Sequence, residues 1–135
     1  MSGRMKSMNT AEKFATAMVV ERIVVGGAAI IAPGPMLKGF GAPADADTPA
    51  LRYTTRLFGI RNVALGVQVW QARKDQTRLT TLAGQNATVE LTDLVAGAVV
   101  TSTDPEMRRP GVAVMVTSLA VASGFLVLRR LAARP

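Results

Sequence analysis

The chain contains no cysteine and no histidine. The first absence excludes disulfides, thiolate metal sites and cysteine nucleophiles. The second removes the commonest general base, the usual zinc ligand and the proximal haem ligand. Aromatic residues are also scarce, with one Trp, one Tyr and four Phe. That leaves little with which to stack bases, and no nucleic-acid recognition motif is present. Any chemistry would fall to Asp, Glu, Arg, Lys, Ser, Thr or Tyr. Ser118 and Ser123 have no histidine to activate them, so nucleophilic catalysis has no support.

What is present is apolar and basic. Of 135 residues 49% are hydrophobic, mean hydropathy is +0.27 and the formal net charge is +7. The length suits one domain. In a soluble protein such charge would suggest a nucleic-acid partner. Here the basic residues gather beside hydrophobic segments, as loop anchors do in membrane proteins, and no nucleic-acid partner is expected.

Residues 1–10, with Arg4, Lys6 and three Met, read as a basic cytoplasmic tail. Residues 11–132 form the expected membrane domain, with helices over about 11–32, 51–72, 78–101 and 110–131. Pro33-Gly34-Pro35 stops the first helix. A signal peptide would need residues 23–32 as its core, preceded by an acidic residue and followed by Pro instead of a small-residue cleavage site. Residues 33–50, rich in Gly, Pro and Asp, read as a solvated linker with Phe40 dipping into the interface. Residues 111–128 carry no charge over 18 positions, enough at ~1.5 Å per residue to cross most of a ~30 Å hydrocarbon core. The tail, the 73–78 turn and the C-terminus hold nine Lys and Arg, against four in the other two connections. That asymmetry places both ends in the cytoplasm. The expected fold is all-α, a four-helix transmembrane bundle with antiparallel up-down topology.

Six charges fall inside these spans: Glu21 and Arg22 in the first, Arg56 and Arg61 in the second, Glu90 and Asp93 in the third. They balance, three against three. A charge at the bilayer centre costs about 2.5–3.5 kcal/mol. The second helix would gain about 3–4 kcal/mol from its Leu, Val, Ile and Phe and lose about 5–7 kcal/mol to two arginines. Its arginines therefore need carboxylates from the first and third helices. Depths agree, since Asp93 falls between Arg56 and Arg61. Asn86, Glu90, Asp93 and Gly97 share one stripe of the third helix, and Thr55, Gly59, Asn62 and Gly66 one stripe of the second. Gly59, Gly66 and Gly97 mark close helix packing, and Gly26-Gly27 a close-packing surface. Ala120 and Gly124 form a small-xxx-small pair suited to an outer packing or dimer face. Glu90 and Asp93 could bind a hard cation, but Arg56 and Arg61 nearby argue against it. No metal and no cofactor are expected.

The run Arg56-Leu57-Phe58-Gly59-Ile60-Arg61 with Ala64-Leu65-Gly66, the Gly-rich first helix ending at Pro33, Phe40-Gly41 and Asp93 resembles small bacterial four-helix membrane proteins of the DoxX-like group. The likeness extends from about Glu21 to Leu128. Asn62 stands where that group would place an acidic residue. The resemblance implies a membrane location and four helices, and brings no catalytic activity. An Ala-, Arg- and Val-rich, Lys-poor composition is that of a high-GC bacterium. Three roles follow as expectations. The first is a non-enzymatic, multi-pass inner-membrane protein, partnered by the bilayer and by a larger membrane complex or a second copy, with an Arg–carboxylate network between its first three helices. The second is a carrier or binding protein for a small anion, quinone or lipid headgroup held by Arg56 and Arg61. The third is a soluble basic helical bundle binding acidic partners.

Overall fold

The computed structural model describes residues 8–134; most of the basic tail, Arg4 and Lys6 included, lies outside them. Among the described residues every element is helical: α1 (Thr10–Ile31), α2 (Pro33–Gly39), a single 3-10 turn (Ala44–Ala46), α3 (Pro49–Ala72), α4 (Gln76–Thr103) and α5 (Arg108–Ala132).

Local chemistry sets most boundaries. Asn9 Oδ1 accepts from the Glu12 amide (2.8 Å), Thr48 Oγ1 from Leu51 and Asp75 Oδ1 from Arg78, so three long helices open on side-chain caps. Pro49 follows its cap at the first helical position, where a missing N–H costs nothing. The linker expected over 33–50 is corrected here for the same reason. Pro33 ends α1 but also starts α2, because a proline that cannot continue one helix is well placed to begin the next.

Two antiparallel pairs make up the molecule. α1 packs on α3, with Gly26 against Gly59 and Gly66 against Arg22. A Cβ on Gly59 would stand 2.5 Å from the Gly26 carbonyl oxygen, so the two backbones touch there. α4 packs on α5, where a Cβ on Gly97 would lie 2.9 Å from the Gly111 carbonyl oxygen. Gly111 is the mate the sequence reading did not name. Gly124 of α5 rests on Met18 of α1, whereas Ala120 is exposed, so the expected Ala120–Gly124 pair is split between an internal contact and the surface.

The core lies in the half of the bundle nearest the two chain ends. Ala11, Ala15, Val69, Leu79, Ala83, Phe125 and Leu128 close on one another there. Ala11 and Ala15 of α1 and Ala83 of α4 leave room there for Val69, Leu79, Phe125 and Leu128. Large apolar side chains also face outward on every long helix: Val20, Val24 and Ile31 on α1, Leu57 and Ile60 on α3, Leu91 and Val95 on α4, Val116 and Leu119 on α5. By length and composition two helices could cross a membrane, α1 with mean hydropathy 1.8 and α5 with 2.2.

Candidate functional site

Midway along α1 the side chain of Arg22, 1% exposed, reaches into the bundle axis and touches all three other long helices. Its Nη1 donates to Glu90 Oε1 of α4 and to Asn62 Oδ1 of α3, both at 2.5 Å, and its Nη2 donates to Asn86 Oδ1 at 3.0 Å. Its guanidinium lies 4.9 Å from the ring centroid of Phe125 on α5. The two amides are aimed by their own helices. Asn62 Nδ2 donates to the Phe58 carbonyl and Asn86 Nδ2 to that of Leu82, which turns each amide oxygen toward the arginine. The result is a charge-assisted cluster with almost no contact with solvent.

A second ion pair sits beside it. Arg61 of α3 grips both carboxylate oxygens of Asp93 on α4, with the side chain of Arg61 39% exposed and that of Asp93 18%. This pairing and the stripe from Asn86 to Gly97 agree with the sequence reading. The placing of Arg56 does not. It is exposed, its Nε donates to the Ile30 carbonyl at 3.2 Å, and it makes no ion pair among the described residues. It lies about two turns into α3 and on a face turned away from the bundle axis, where a long side chain can reach outward. Leaving Arg56 aside, the inner set holds Arg22 and Arg61 against Glu21, Glu90 and Asp93. The expected balance of charge is not kept inside the bundle.

Glu21 is the odd member. It is half-buried, has no hydrogen-bond partner among the described residues, and its Oε2 is closed off from solvent. Glu21 also lines a cavity of about 190 Å³ in the half of the bundle away from the chain ends. Arg22, Asn62 and Glu90 border the same space, while Val25, Leu37, Phe40, Phe58 and Val121 make its apolar walls. Thus α2, met as a linker in the sequence, contributes part of a wall. Thr54 and Thr117, both exposed, mark the rim. Their hydroxyls donate to carbonyls one turn back, to Ala50 and Ala113, as do most Ser and Thr hydroxyls of the long helices. Ser118 is different: buried at the cavity wall, it makes no such bond.

Arg22 was visible in the sequence as one member of a six-charge set and not as its centre. The signal that singles it out is the small-residue face of α1, where Ala11, Ala15, Val19, Arg22, Gly26 and Ala29 recur at intervals of three and four. Arg22 lies on that packed face, and Glu21 lies one position off it. Compared with protein-family models, with curated proteins and with solved structures, the chain matches none.

Proposed function

We propose that the chain is a non-enzymatic integral membrane protein of the bacterial inner membrane, its four long helices crossing the bilayer with both ends cytoplasmic. In this reading it serves as an accessory subunit or small oligomer, and the Arg22 cluster locks its helices in register. The observation that carries the reading is the inverted distribution of side chains. Charges converge on Arg22 inside, while apolar residues such as Val24, Val95 and Val116, each more than 60% exposed, face outward. Exposed apolar surface on every long helix is the pattern of a lipid-facing bundle and a liability in water. The back-bonded Ser and Thr hydroxyls support it, because they need no water. Kinship with the DoxX-like group belongs to the same proposal and rests on the second-helix run together with the Gly-rich first helix ending at Pro33, Phe40-Gly41 and Asp93.

Ligand binding is the second reading, and the cavity beside Arg22 favours it. The site for a ligand is then on that side of the bundle, since neither Arg56 nor Arg61 borders the space. Alkaline carbonate extraction of membranes tests the location. The protein is expected to stay in the pellet with integral markers, and release into the supernatant would return the chain to the soluble basic bundle. Affinity purification in mild detergent then separates a subunit, which brings a stoichiometric larger partner, from a small oligomer.

A further inference from the structure

The cavity that Glu21 borders is walled largely by apolar side chains, yet a carboxyl group without a partner among the described residues stands at its edge. Of the inner carboxyl groups Glu21 alone makes no ion pair among the described residues, since Arg22 pairs with Glu90 and Arg61 with Asp93. An anion entering here would meet two carboxyl groups, and an arginine whose Nη1 and Nη2 already donate to Glu90, Asn62 and Asn86, with only its buried Nε left without an acceptor among the described residues. A bare metal ion finds no ligand set, because among the described residues no three acidic groups come together. A cation with an apolar body meets the Glu21 carboxyl, without an ion-pair partner among the described residues, and the aromatic ring of Phe40, a residue type that attracts positive charge. The Phe58 ring already lies 5.2 Å from the Arg61 guanidinium.

We propose that this cavity binds a small lipophilic monocation, an amine or quaternary ammonium of about one ring and a short arm, with its charge beside Glu21. The size follows from the volume, since an engineered cavity of about 150 Å³ already accepts benzene. The ammonium supplies the positive charge that Arg56 does not supply from the bundle surface. Ser118, with its hydroxyl uncommitted, adds an acceptor for an N–H. The inference deepens the ligand-binding reading and is independent of the outcome of carbonate extraction, which reports location and not occupancy.

Isothermal titration calorimetry on the full chain in mild detergent tests it, with benzyltrimethylammonium as the probe and neopentylbenzene as its uncharged isostere. Benzoate serves as the anionic comparison. The expected result is one saturable site for the ammonium, with the isostere and benzoate each at least tenfold weaker. In Glu21→Gln the ammonium should lose at least tenfold in affinity while the isostere changes by less than threefold. Equal or tighter binding of the isostere or of benzoate overturns the proposal, as does the absence of any ammonium binding or undiminished binding to a folded Glu21→Gln protein. Should that variant lose its monodisperse elution, the three probes on the unaltered chain still decide.

Discussion

Replacing Arg22 by methionine keeps much of the side-chain volume and removes its three hydrogen bonds at the bundle axis. Glu90, 5% exposed, would be left as a buried carboxylate without its counter-ion, and the amide oxygens of Asn62 and Asn86 would lose their donor. Breaking one side of a buried ion pair costs about 3–5 kcal/mol. The cavity can admit water to part of the cluster, so the orphaned amides add at the low end of the ~1–3 kcal/mol range for buried polar groups. A loss of about 4 kcal/mol lowers Tm by roughly 10–20 °C in a chain of this size. Adding Glu90→Gln to Arg22→Met removes the stranded charge, so the double variant should melt above Arg22→Met, with an interaction energy of at least ~2 kcal/mol. Arg61→Met is the comparison: its partly exposed pair with Asp93 should cost about 1–2 kcal/mol. Thermal melting in detergent, followed by the loss of monodisperse elution, reads these three variants, the Glu90→Gln single variant that closes the cycle, and the parent. An Arg22→Met protein melting within a few degrees of the parent would refute the hub, and so would a double variant whose losses simply add.

Two glycines of the α1–α3 pair should behave in opposite ways. Gly59→Ala places a methyl against the Gly26 backbone and should cost about 1–3 kcal/mol, while Gly27→Ala meets nothing within 4 Å and should be neutral or stabilising by up to ~1 kcal/mol; comparable effects in the same melts would remove the close crossing. Between the long helices, Asp47 accepts two hydrogen bonds from Arg52, and that bonding holds its carboxyl below the usual range. A depressed folded-state value means the strap is fully present above the ordinary Asp value of about 4 and is lost as pH falls through the lower one. A carboxyl NMR titration should show Asp47 below that ordinary value and an Arg52→Gln variant restoring it, and equal titration in the two proteins would remove the strap.

The four long helices were legible because their apolar runs are long and are separated by polar or Pro- and Gly-rich stretches; each falls within two residues of the helix expected from the sequence. α2 was not, because two prolines and two glycines read as a break, and only packing shows that the chain resumes a helix there. Asp93 with Arg61 was legible from depth. Arg56 was misplaced because depth fixes height along the axis and leaves rotation about the helix open. Neighbouring height with Asp93 did not turn Arg56 toward it; the Arg56 Nε donates instead to the Ile30 carbonyl at the end of α1. Gly111 was read as the start of an uncharged span, and its role depends on Gly97 and Thr101 of another helix.

With no native cysteine, single-cysteine variants report position without background. Labelling intact cells with a membrane-impermeant maleimide, then repeating after permeabilisation, bears most directly on helices that cross lipid around a buried arginine. Ala44→Cys and Glu106→Cys should react in intact cells, Thr77→Cys and Ala133→Cys only after permeabilisation, and Val24→Cys and Val95→Cys in neither. Reaction of Thr77→Cys in intact cells, or ready reaction of Val24→Cys and Val95→Cys in permeabilised ones, would contradict a four-span bundle with its charges turned inward.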